Sequence, residues 1–174
     1  MERNYKKVIG TPILTDHSRR PATTVKDLLI DPETGKIVAF IVDRSKDLVV
    51  LPMDVLEWKN VIHINDHDAI VEAEDLVRVV TLMNKHIQIS GQPVETKAGD
   101  SLGKVQDFSV DDRSLSLKNL YVYKGWMGLL RYDGGIISAK DIVEILPEKI
   151  VVMDKIETVK EEEGDMALED AMAG

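Results

Sequence analysis

The stretch Val25-Lys26-Asp27-Leu28-Leu29-Ile30-Asp31 decides the fold, because the chain carries it twice. Its counterpart is Val105-Gln106-Asp107-Phe108-Ser109-Val110-Asp111, at an offset of 80 residues (25 to 105, 31 to 111) with no gap. Upstream, Gly10-Thr-Pro-Ile13 matches Gly91-Gln-Pro-Val94 at an offset of 81 (10 to 91). Downstream, Pro52-Met-Asp-Val-Leu-Glu57 matches Ala139-Lys-Asp-Ile-Val-Glu144 at 87 (54 to 141), so the second copy is longer just before that point. The apolar runs Ile37–Val42 and Val61–Ile64 add two more matched blocks in the same order, which reads as an internal duplication spanning residues 8–66 and 89–154.

Each copy reads as a series of short strands. Val25, Leu28 and Ile30 set against Asp27 and Asp31 give the alternation of a half-buried strand. Asp31-Pro-Glu-Thr-Gly35 is a turn with a mechanism: proline presets φ, aspartate bonds the following backbone, and glycine accepts positive φ. The near-continuous apolar run Lys36–Val42 then suits a strand buried in a small barrel. Val61–Ile64, the polar Asn65-Asp-His-Asp68 and Ala69–Val71 predict a second hairpin. Between the copies, Leu76, Val79, Val80 and Met83 form a helical stripe after the acidic Glu74 and Asp75. A short connecting helix is expected there.

Composition bounds the rest. With 44% hydrophobic and 30% charged residues the chain is of the ordinary globular class, and at 5% aromatics its core rests on Val, Ile and Leu, which favour strands. A net charge of −9 argues against nucleic-acid or anionic-membrane binding, both of which need positive surface; Lys6, Lys7, Arg19 and Arg20 are the best basic candidates. The absence of cysteine excludes disulfides, thiolate nucleophiles and Cys-ligated zinc. The first residues, Met1–Lys7, lack the apolar stretch of a signal peptide, and Ile37–Val42 is too short to cross a bilayer, so a cytoplasmic protein is expected. Residues 160–174 hold one base and six acids, a net −5 that leaves −4 for the remainder, and are expected to be a disordered acidic tail.

Chemistry is sparse. His17, His63, His67 and His86 show no metal-type spacing and no paired nucleophile or base. The acidic cluster from Asn65 to Asp75 lacks the sharp glycine turn of a calcium loop and reads as a polar turn. No phosphate-cradling glycine loop is present. No catalytic, cofactor or metal residue is therefore assigned. The exception to this blandness is the connection Lys124–Asp133, where Trp126, Met127, Leu129, Leu130 and Tyr132 stand in place of loop polarity. Such residues either fold back over the barrel end, packing on the other domain included, or form an exposed patch, and on the second reading these five are the candidate partner contact.

Taken together, Gly91-x-Pro-Val, Gly99-x-x-Leu-Gly103-Lys-Val105-x-Asp107 and, in the first copy, Leu51-Pro52-Met-Asp54-Val55 resemble the PRC-barrel domain family. The Gly-containing stretch Lys124–Leu130 before Ile136–Ile142 also resembles members of that family. Departures are Arg19 and Thr23 opposite Gly99 and Gly103, Leu115 opposite Gly35, and Ala139 opposite Pro52. The resemblance implies a mainly β chain: two tandem small PRC-type β-barrels joined by a short helical linker, with a disordered acidic C-terminal tail. The boundaries expected are 1–72 for the first barrel, 73–88 for the linker, 89–158 for the second and 159–174 for the tail. Relatives in settings as different as a photosynthetic reaction-centre subunit and a ribosome maturation factor imply a non-enzymatic adaptor that binds a protein, with a homodimer allowed. An RNA-processing or ribosome-associated factor is the alternative, and a small-molecule sensor with its ligand between the barrels is a third. No DNA partner, cofactor or membrane insertion is expected, and acidity argues against RNA without excluding it.

Overall fold

A computed structural model describes residues 1–16, 18–125 and 133–155. The chain is mainly β. In the first half, strands run β1 (Glu2–Asn4), β2 (Pro12–Thr15), β3 (Thr23–Thr24), β4 (Asp27–Ile30), β5 (Ile37–Asp43), β6 (Leu48–Val50), β7 (Val55–Trp58), β8 (Ile62–Ile64) and β9 (Ile70–Glu72). A one-turn helix α1 (Tyr5–Val8) follows β1, and α2 (Val77–Met83) leads into the second half. That half contains β10 (Pro93–Thr96), β11 (Ser101–Asp111), β12 (Ser116–Lys124), β13 (Asp133–Ser138), β14 (Ile142–Ile145) and β15 (Ile150–Val152).

The strand register repeats with the sequence. In the first half β2 runs parallel to β8 with Ile13 opposite Ile62, and in the second β10 runs parallel to β15 with Val94 opposite Ile150. Leu28 opposite Phe40 becomes Phe108 opposite Leu120, both pairs displaced by 80. The antiparallel pair β7–β8 skips a residue between Val55 and Glu57, and β14–β15 skips one between Ile142 and Glu144. Both bulges fall at the same place, just after a 3-10 turn: Pro52–Asp54 carries the chain from β6 to β7 in the other first-half sheet, and Ala139–Asp141 carries it from β13 to β14.

Among the described residues no sheet closes into a barrel. The second half has the order β13-β12-β11-β10-β15-β14. Its two end strands, β13 and β14, are separated in sequence only by Ala139–Asp141, so the sheet curls until its ends are a single turn apart without pairing. The first half is divided into β3-β2-β8-β7 and β4-β5-β6-β9. The residues that form one long strand as β11 are split here into β3 and β4, with Val25 bonding back to Thr11 between them. Asn65–Asp68 does not close the expected hairpin: β8 pairs with β2 and β7, whereas β9 pairs with β6. Asp66 accepts the Asp68 amide at 2.9 Å, which turns the chain round a corner between the two sheets.

One apolar cluster runs through both halves, with Ile13, Phe40, Ile62, Val94, Leu120 and Ile150 all fully buried. A second, smaller one lies beneath α2, where Val79 and Leu82 cover Leu29, Ala39 and Val49. The first-half sheet β4-β5-β6-β9 is thus apolar on both faces. That explains why Leu28, Leu29 and Ile30 are all buried in β4 instead of alternating.

Candidate functional site

The join between the halves concentrates the side-chain chemistry. It starts at the hairpin turns. Asp31 Oδ1 accepts the Glu33 amide at 3.0 Å and Oδ2 accepts the Thr34 hydroxyl at 2.9 Å, while Gly35 takes φ +67. In the matched turn, Asp111 accepts the amides of Arg113 and Ser114, and Leu115 takes φ +49 without the freedom of glycine. The turns meet: the Ile37 amide donates to the Leu115 carbonyl and the Leu117 amide to the Gly35 carbonyl, both at 2.8 Å. Each bond maps onto the other by the 80-residue offset, so the halves are related locally by a two-fold.

The N-terminal segment breaks that symmetry. β1 adds to the edge of β11, with Arg3 opposite Val110. Glu2 Oε1 accepts hydrogen bonds from the Ser109 hydroxyl at 2.6 Å, the Asn119 amide at 2.8 Å and the Tyr121 hydroxyl at 2.9 Å, and Lys118 lies 3.2 Å from Oε2. The Ser109 bond leads these in holding the Glu2 carboxyl down to about 2, against the opposing pull of partial burial. Arg3 pairs with Asp112 at 2.8 Å, donates to the Trp58 carbonyl at 3.0 Å and lies over the Trp58 ring. Tyr5 stacks on Phe108 with ring centroids 4.4 Å apart and donates its hydroxyl to Asp27 at 2.7 Å. Burial, then the Asp27 bond, pushes the Tyr5 phenol well above its ordinary range.

These residues were missed in the sequence, where Glu2, Arg3 and Tyr5 read only as a polar terminus. A signal did exist. Ser109, Asn119 and Tyr121 occupy the positions of Leu29, Ala39 and Ile41 in the first copy. An apolar-to-polar change at three matched positions on one sheet face marks a different cover: α2 in the first half, Glu2 in the second.

Beside the join lies a cavity of about 370 Å³. All four residues of β4 line it, and so do five consecutive residues of the opposite wall, His86–Ser90. Phe108 and Tyr5 also contribute, and Arg44 and Asp27 are paired at 2.7 Å beside it. The candidate contact residues Trp126, Met127, Leu129, Leu130 and Tyr132 lie outside the described residues, as do His17 and residues 156–174. The strands that carry that connection are described: Lys124 ends β12 opposite Asp133 of β13, and its ammonium donates to the Ser101 carbonyl at 2.9 Å. His63 is half-buried between the buried Ile62 and Ile64. Among the described residues no group of acids and histidines is placed to hold a metal ion, and no helix is long and apolar enough to cross a membrane.

Residues 1–77 match the PRC-barrel domain. The PRC-barrel match ends at Val77, where α2 begins, and takes in β1 although that strand pairs with the other half. No curated protein matches the chain.

Proposed function

We propose that this chain is a non-enzymatic adaptor made of two PRC-barrel modules, of which residues 89–158 are the second, acting in the cytoplasm on a protein partner. The observation that carries this reading is the disposition of its polar groups. Asp27, Asp31, Asp107 and Asp111, the acids repeated between the copies, are each engaged by backbone amides or by neighbouring side chains that hold turns and strand starts. Groups so used are committed to structure and leave little for bond-making chemistry. Strand edges are left over instead. Among the described strands β13 and β4 end their sheets, and the sequence that joins β12 to β13 holds five large apolar residues, Trp126, Met127, Leu129, Leu130 and Tyr132. Unpaired strand edges and apolar loops are the means by which small β modules hold partners.

Affinity capture from the native host with the full chain, set beside a Trp126→Ser/Leu130→Ser variant, tests the loop. A partner recovered with the parent and lost with the folded variant is the expected result. Equal recovery would exclude the loop as the contact. Salt-sensitive RNA recovered without a protein would favour the ribosome-associated alternative.

A further inference from the structure

The cavity at the join has an unusual shape for a pocket. Successive side chains of a strand point to opposite faces of its sheet. Asp27, Leu28, Leu29 and Ile30 nevertheless all line the same space, which therefore runs along the edge of β4 and not across either face. β4 is the end strand of its sheet.

The local two-fold says what belongs on such an edge. On the matched strand, β11, the equivalent edge carries β1, with Arg3 opposite Val110. Val110 corresponds to Ile30, which faces Ile37 of β5 on one side, and on its other edge no strand pairs with it among the described residues. At the offset of 81, residues 83–85 correspond to β1, but Met83 is still the last residue of α2. His86 then takes φ +49, a left-handed conformation rare for a non-glycine residue, and the chain continues as the far wall of the slot. The inner end of the edge is already prepared in the same manner on both strands: the Leu28 amide is capped by Asp27 and the Phe108 amide by Asp107.

The geometry points to a strand-addition site: the β4 edge receives an extended apolar segment of a partner protein, antiparallel, as β1 lies on β11. Antiparallel direction follows from β1 on β11. Apolar side chains suit the part of the slot lined by Leu28, Ile30 and Phe108 of the main core and by Leu29 and Leu82 of the cluster under α2, while Asp27, Arg44, His86, Gln88 and Ser90 line the remainder. β1 itself could not serve, since Glu2 needs Ser109, Asn119 and Tyr121 where this site offers Leu29, Ala39 and Ile41. The main chain would supply affinity and the apolar walls selectivity. This rests on the adaptor reading and names one surface for it.

The test uses the full chain and three capped peptides, Lys-Thr-Val-Ile-Val-Thr-Lys, its Leu-Ile-Leu counterpart and a polar Ser-Asn-Ser control. Amide chemical shifts are followed during titration. Perturbations confined to Asp27–Ile30 and His86–Ser90 with either apolar peptide are expected, and none with the control. Methylating the backbone nitrogens of the three central residues should weaken binding about fivefold or more, the loss of at least one main-chain hydrogen bond. Gln88→Trp, an exposed wall position, should block the slot while leaving the remaining spectrum unchanged. No binding by either apolar peptide at millimolar concentration overturns the proposal, and so does binding indifferent to N-methylation, which would mark an apolar small-molecule pocket. Concentration-dependent shifts of the same amides without peptide would overturn it in favour of a second copy of the chain. If Gln88→Trp still captures the native partner, the slot fails and the adaptor reading stands.

Discussion

Lys36 and Ser116, 80 residues apart, face each other in an isolated antiparallel bridge, the point at which the two halves of the chain meet at matched positions (36 to 116). Because the flanking bonds run in both directions, from Ile37 to Leu115 and from Leu117 to Gly35, neither half is a bead on a string. The shared apolar cluster and the crossing of β1 to β11 make the same point energetically.

Gly103 is the least replaceable of the glycines whose surroundings are described. It lies at φ +116, and a Cβ there would overlap the Tyr123 carbonyl of the neighbouring strand. Gly103→Ala should destabilise by about 2–4 kcal/mol, through overpacking added to backbone strain. Gly99→Ala, at φ +92 but with open space around it, should cost only about 1 kcal/mol. Urea unfolding of both variants checks the ranking, and equal losses would show that the contact with Tyr123 is not decisive.

Glu2→Ala leaves the fully buried Ser109 hydroxyl without its acceptor and removes one from Asn119 and Tyr121. A loss of about 1–3 kcal/mol is expected, with β1 fraying from β11 first in hydrogen exchange.

The same carboxylate contributes a pH dependence. Its value falls from 4.5 to about 2 on folding, so the stabilisation is fully present above 4.5 and declines as pH falls from 4.5 towards 2. Asp31 and Asp112 are also held low, by bonds that outweigh burial, and add to acid sensitivity in the same direction. Glu2→Gln should remove part of the slope in that window and leave the curve near neutrality flat. An unchanged slope would assign the acid response to the other carboxylates.

Tyr5 couples the halves by two separable contacts. Tyr5→Phe deletes the bond to Asp27 and should cost about 0.5–1.5 kcal/mol, keeping the ring on Phe108. A double-mutant cycle of Tyr5→Ala with Phe108→Ala should give a coupling of about 0.5–1.5 kcal/mol for the stack. No coupling would mean that the rings touch without mutual stabilisation.

Leu115 holds the left-handed position that glycine fills at residue 35. Leu115→Gly should relieve about 1 kcal/mol of backbone strain but lose partly buried apolar contact of similar size, so near-neutral stability is expected. Gly35→Ala has only the strain to add, because its Cβ would meet Leu117 at an ordinary 3.6 Å, and should cost about 1 kcal/mol in calorimetry.

The repeated block 25–31 and 105–111 was enough to predict which strands match, because local patterning and turn chemistry act over a few residues. Asp31, Pro32 and Gly35 make their turn from the residue types alone, and the stripe from Leu76 to Met83 makes α2. The Asn65–Asp68 segment shows the limit: its polarity specified a turn, but not whether the strands on either side would pair with each other. Strand pairing is a non-local choice between edges of nearly equal local quality.

The sequence by itself determined the matched blocks 25–31 and 105–111, the turn from Asp31 to Gly35 and the helix α2, all of which follow from side-chain period and backbone preference over a few residues. Only the tertiary structure decided that β1 pairs with β11, that α2 covers the sheet of the first half while Glu2 bonds the matched face of the second, and that among the described residues no strand pairs with the outer edge of β4. The physical reason is competition: two halves with matching strand registers offer similar edges, and which segment takes which edge depends on Ser109, Asn119 and Tyr121 standing against Leu29, Ala39 and Ile41.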